Sequence, residues 1–164
     1  MMIEASDYDM VSYVARNLRD VDRIEMHACA TEHTRLAEVI ERHSVFSFCA
    51  FDDGIPCAIW GMVQLRPGVG SAYAFGTDDW GRVVLPMVRQ IRNFLAPWAC
   101  AHGYHRIEAA ALASRRDVAR FMKLIGAQPE ATMRASGAHG EDFILYRWLA
   151  NEALAKSTSA HGPH

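Results

Sequence analysis

Two clusters in this chain carry residue types that do chemistry. His27, Cys29 and His33 give a His-x-Cys-x3-His spacing built from side chains that bind transition metals. On a helix, however, His33 stands six residues past His27, so the two rings point to different sides, and the spacing predicts no metal centre. Arg115, Arg116 and Arg120 open a helix and share one face of it, where guanidinium groups could hold a phosphate or a nucleic-acid backbone. The plainer reading of the same three is a solvated helix face. Trp60, Trp80, Trp98 and Trp148 could stack on bases only beside a positive groove, and their simplest place is the core or an interface. His102 and His105 flank Gly103 as ordinary surface residues.

The composition bounds what these clusters can serve. With 164 residues, 51% of them apolar, the chain can build one domain with a real core, and we expect that domain over residues 1–149 with a flexible tail at 150–164. A formal charge of −2 gives no global pull toward nucleic acid or an anionic membrane. The basic residues are 15 arginines and 2 lysines, which reflects base composition more simply than a need for bidentate donors. Cys29, Cys49, Cys57 and Cys100 show no CxxC spacing, no apolar leader opens the chain, and no run reaches the length of a membrane span. The expectation is an intracellular, cytoplasmic protein with reduced thiols and no membrane partner.

The elements that must position any site follow from periodicity. Ser6-Asp7 offers a cap for a helix with Met10, Val11, Val14 and Leu18 on one face; from Asp20 the chain continues helically or as a second short helix, and a further one begins at Thr31. Ser44–Phe51 and Cys57–Leu65 alternate around Asp52-Asp53-Gly54, a β-hairpin, and Ser71–Thr77 adds a third strand after the Arg66–Gly70 turn. From Trp80 to Trp98 apolar residues recur at three- and four-residue steps, a long amphipathic helix that Pro86 should kink or end. Ile107, Ala109 and Ala111 mark a strand, Ser114 is the expected cap of a helix with Val118, Phe121, Met122 and Ile125 inward, and Gly126 ends it. Thr132–Ser136 and Asp142–Leu149, around Gly137-Ala-His-Gly140, predict a closing antiparallel hairpin.

In this order, the elements resemble the GCN5-related N-acetyltransferase (GNAT) superfamily over roughly residues 2–149. The resemblance implies an α/β fold with a mixed, mostly antiparallel sheet of about six to seven strands and helices on both faces. More narrowly, Gly54-Ile-Pro-Cys-Ala-Ile59, Tyr73-Ala-Phe-Gly-Thr-Asp-Asp-Trp80, Arg120-Phe-Met-Lys-Leu-Ile-Gly-Ala127 and the closing hairpin resemble the acetyltransferase-like proteins of short-tailed bacteriophages, of the internal virion protein A type.

What the superfamily resemblance implies is transfer of an acetyl group from acetyl-CoA to an amine of a small molecule or protein. The pyrophosphate would lie on the loop before the long helix, here Thr77-Asp-Asp-Trp80-Gly81-Arg82, with Arg115 and Arg116 at the phosphates or the pantetheine arm. Asp78 and Asp79 depart from the family's glycine-rich pattern: a carboxylate facing a pyrophosphate is repelled, and one capping the helix would occupy the amides an anion needs. The family's base is a strand carboxylate, which falls on Glu108, with Tyr73 as a donor into the cleft; Glu108 could equally face solvent, Asp78 and Asp79 could simply cap, and Tyr73 could pack. Where many members carry a tyrosine that protonates the leaving thiolate, this chain has Met122, which cannot donate a proton. These departures leave open a catalytically degenerate GNAT-fold phage protein with a virion-assembly or host-factor-binding role. A homodimer fits either reading; nucleic acid is the least favoured partner.

Overall fold

The local signals start the elements where short-range chemistry decides. In the computed structural model, which describes residues 1–152, the Asp7 carboxylate accepts from the Met10 amide at 2.9 Å and opens α1 (Tyr8–Arg16). Two short helices follow, α2 (Asp20–Ala28) and, after one 3-10 turn at His33–Arg35, α3 (Leu36–His43). The hairpin of β2 (Ser44–Asp52) and β3 (Ile55–Arg66) turns on Asp53 and Gly54, both at positive φ, and β4 (Val69–Gly76) completes an antiparallel meander with β1 (Met2–Ala5) on its outer edge.

The long amphipathic run forms α4 (Trp80–Gln90) and α5 (Ala96–Ala101), joined through a π-helical turn at Ile91–Leu95. The helix does not end at Pro86, which lies within α4; the irregular turn comes later, just ahead of Pro97. A proline ring crowds the carbonyl four residues back, here that of Asn93, and the widened turn gives it room.

After α5 come β5 (Arg106–Leu112), α6 (Arg116–Ile125), β6 (Gln128–Met133) and β7 (Phe143–Leu149). Gly126, at φ 85°, ends α6, and the Ala127 amide reaches back to the Met122 carbonyl at 2.9 Å. Ser114 does not cap this helix. Arg115 holds that position without a side-chain cap, its guanidinium folded back on Asp117. The first arm of the final hairpin lies at Gln128–Met133 rather than Thr132–Ser136; it is an exposed edge strand with no buried face to announce it, and the edge tolerates Pro129. Of the expected tail, residues 153–164 lie outside the described residues, while Glu152 pairs with Arg147 at 2.7 Å.

The seven strands form one sheet in the order β1-β2-β3-β4-β5-β7-β6, antiparallel except between β4 and β5. Alternation assigns its two faces. Cys49, Ile59 and Phe75 pack under α1 and α3 with Val11, Val14 and Ile40; Ala50, Trp60 and Ala74 pack under α4 and α6 with Val83, Met87 and Phe121. The parallel ladder is short. It pairs Val69, Gly70 and Ser71 with Arg106, Ile107 and Glu108, and beyond these the two strands part.

Candidate functional site

The site is the gap that this parting leaves. Ala72 and Ala74 on β4 and Ala109, Ala110 and Ala111 on β5 line its edges, small side chains that fill little of the space between the strands. A cavity of about 390 Å³ occupies the gap and reaches both faces of the sheet, within the range of small-ligand pockets. On one face its wall is Trp60, Trp80, Phe121, Met122 and Tyr146, under α4 and α6; on the other it is Met26, Leu36, Val39, Ile40 and Tyr73, under α2 and α3.

At the α4 end the cavity is lined by Trp80, which belongs to the loop Thr77–Arg82. Thr77 is buried; its hydroxyl sits 3.4 Å from the Cys57 carbonyl and accepts from the Asp79 amide at 3.3 Å. Asp79 occupies the cap position but its carboxylate makes no cap; it turns to Arg82 at 3.3 Å, and Arg82 also holds Asp52 at 2.9 Å. The expected competition for the helix amides therefore does not arise. The amides of Asp78 and Gly81 meet no acceptor among the described residues, and the space where a Gly81 side chain would stand is open. Trp80 closes one flank, edge-on to Phe121 at 5.6 Å and beneath the Arg19 guanidinium at 4.3 Å. Its ring sits where a Cβ on Gly76 would fall 2.6 Å away, so only glycine lets the indole approach β4. Among the wall residues, the buried Trp60 indole N–H has no acceptor within the described residues. A donor so placed lacks a partner that a carbonyl in the cavity would supply.

The opposite face is held by charge. Asp22, 2% exposed, accepts from the Gly76 amide at 2.8 Å and from Arg19 and Arg115; Glu25 accepts from the Leu112 amide at 3.0 Å and from Arg115 at 3.3 Å. Helix α2 thus spans the free ends of β4 and β5, pinned to each by a carboxylate. Arg115 is buried in this lattice, with every guanidinium nitrogen on Asp22, Glu25 or Asp117. The structure does not put it at the expected cofactor phosphates: four of its five N–H donors go to carboxylates, and it serves as the clamp of α2. Arg116, one residue on, is exposed at the first turn of α6.

The expected catalytic residues lie on the α2 and α3 face. Glu108 lines the cavity at the last paired rung, with one oxygen on Arg106 at 2.8 Å, and Arg106 in turn grips Glu130. The Tyr73 hydroxyl shares a 2.7 Å hydrogen bond with Ser44, and burial raises its pKa. Sequence reading missed Glu25. Burial pushes its carboxyl above the ordinary range, against the Leu112 amide and the charge of Arg115, which pull it down. Its one signal is a carboxylate amid the apolar positions of a helix, which periodicity alone assigns to solvent. Tyr146 was also missed; it lines the wall beside Met122, with its pKa raised by burial and by the charge of Glu25. His27 and His33 do not converge, since His27 stacks on His139 at 4.6 Å, and no metal-binding group of three occurs among the described residues.

No protein-family model matches the chain, and no curated protein matches its sequence. Solved structures do. A putative acetyltransferase, yncA, from Salmonella typhimurium, crystallised with its cofactor acetyl-CoA, superposes with a TM-score of 0.70 at 13% identity, over 92% of this chain and 94% of that one. A spermidine N-acetyltransferase mutant from Vibrio cholerae gives 0.69 at 11% identity, over 96% and 99%. A ribosomal-protein-alanine N-acetyltransferase from Brucella melitensis gives 0.67 at 12%, over 91% and 99%. At such identities the likeness speaks for the fold: a seven-stranded, mostly antiparallel sheet, parted between β4 and β5 and covered by helices on both faces, is the fold of the GNAT acetyltransferases.

Proposed function

We propose that this chain is an N-acyltransferase that uses acetyl-CoA on the α4 and α6 face and admits an amine from the α2 and α3 face. The observation that carries the reading is the cavity through the parted strands, with Trp80 of the open-amide loop lining one end and a carboxylate from each of two elements at the other. Asp78 and Gly81 amides, Arg82 once released from its exposed pairs, and Arg116 would hold the phosphates, with Thr77 shaping the loop and Trp80 walling it. When bound, acetyl-CoA supplies an activated acyl group with a good leaving group. Trp60 donates its unpaired N–H to a carbonyl in the cavity.

An ammonium must lose a proton before it can attack, and two carboxylates are placed to take it. Glu25, raised by burial and held by Arg115 only at 3.3 Å, is better matched to that task near neutral pH than Glu108, which Arg106 grips at 2.8 Å. Tyr73 orients from its bond to Ser44. Tyr146 offers the hydroxyl that Met122 lacks.

Release of free coenzyme A thiol, followed colorimetrically with acetyl-CoA and a panel of amines, tests the reading. Glu25→Gln is expected to lower kcat by about 100-fold, and Glu108→Gln by less than about 10-fold; the reverse order assigns the base to Glu108. One observation favours a second reading. Asp22 and Arg115 lock α2 across the strand ends, and Met122 replaces an acid, as in a fold kept without efficient transfer that serves a phage virion or binds a host factor. Absence of thiol release with every amine would favour it.

A further inference from the structure

We infer that the amine taken by this site is a primary amine on an apolar body, of the arylalkyl or branched-alkyl kind, and not a polyamine; the inference rests on the transfer reading above. On the α2 and α3 face the cavity wall is Met26, Leu36, Val39, Ile40 and Tyr73, an apolar chamber whose mouth is marked by Val39, 46% exposed. A polyamine carries several ammonium groups, each needing a carboxylate or water once it leaves solvent. The carboxylates that line this cavity are Glu25, Glu108 and Asp117, and each is already held by an arginine: Arg115 at 3.3 Å, Arg106 at 2.8 Å and Arg115 at 2.6 Å. Glu25 and Glu108 each engage their arginine through a single oxygen, Oε2, so one ammonium can be received at the gap. Further ammonium groups along the same molecule would lie against methionine, leucine, valine and isoleucine with no counter-charge. An apolar body there is driven instead by the area it removes from water.

Phenethylamine and spermidine, titrated separately into the protein by calorimetry with coenzyme A present, test this directly. Phenethylamine is expected to bind at least about 10-fold more tightly, a difference of roughly 1.4 kcal/mol. The Val39→Asp variant adds an unpaired carboxylate at an exposed position that does not endanger the fold, and it should narrow or reverse that ratio. Spermidine binding as tightly as phenethylamine, or failure of both to bind, overturns the inference. Thiol release from acetyl-CoA, assayed in parallel samples with phenethylamine as acceptor, judges the transfer reading separately: phenethylamine bound without release upholds the apolar acceptor chamber and overturns transfer.

Discussion

The two ends of the cleft use the same residue types to opposite effect. At the start of α4, Asp79, Asp52 and Arg82 form pairs whose arginine is 66% exposed; such pairs contribute little and exchange readily with a ligand. At α2, Asp22, Glu25 and Arg115 are drawn into the protein, with Asp22 at 2% and the Arg115 side chain at 6% exposure. There the charges are fastened to backbone amides at the ends of β4 and β5. One end keeps exposed pairs that an anion could displace. The other is a fixed strap that sets how far the strands part.

The contrast is sharpest under truncation. Arg115→Ala removes one of the two arginines on Asp22 and the one on Glu25, leaving Arg19 to hold Asp22, and is expected to cost about 3 kcal/mol, the low end for breaking a buried pair, read as a fall in Tm of roughly 10 °C. Loss of less than about 1 kcal/mol would show that α2 is not pinned there. Two glycines give the next effect. Gly76→Ala drives a methyl against the Trp80 ring and the Cys57 carbonyl and should cost about 1–3 kcal/mol by overpacking. Gly81→Ala meets no protein atom; it should leave Tm within about 1 °C, a near-neutral surface change, while weakening acetyl-CoA binding. If both variants lose stability alike, the space beside Gly81 is not a ligand's.

Acidity gives the smallest effect, and its sign differs between groups. Glu130 is held below its ordinary value of 4.5 by hydrogen bonds from Arg106, so its contribution is present above 4.5 and lost as pH falls through the folded value. Glu25 is raised above 4.5, so its contribution is present below 4.5 and lost as pH rises through its folded value. Chemical denaturation across pH should therefore show the stability of the wild type, relative to Glu25→Gln, declining as pH rises past 4.5. A difference that grows instead would mean that Arg115, not burial, governs Glu25.

What could be read in the sequence is what short-range chemistry decides. The Asp7 cap, the Asp52–Gly54 turn, the inward face of α6 and its stop at Gly126 are each fixed by neighbours a few residues away. The edge strand β6 was misplaced because an exposed strand buries nothing and leaves no alternation. The site was half legible. Of Thr77–Arg82 and Glu108, to which the sequence points, Trp80 and Glu108 line the cavity, but whether Asp79 caps or turns to Arg82 is a rotamer choice that no spacing encodes. Arg115 was misassigned because its partners Asp22 and Glu25 lie 93 and 90 residues away, and Glu25 was overlooked for the same reason. The alanines at 109–111 were a signal in plain view: a strand of small side chains beside a gap is a strand that makes room.

On the proposed reading, the parted strands and the open α4 amides together hold acetyl-CoA. Calorimetric titration of acetyl-CoA into the protein tests it most directly. Saturable one-to-one binding with a rise in Tm is expected, as native-state binding requires, weakened about 10-fold or more by Gly81→Ala or Arg82→Ala. No heat and no Tm shift at millimolar acetyl-CoA would contradict it.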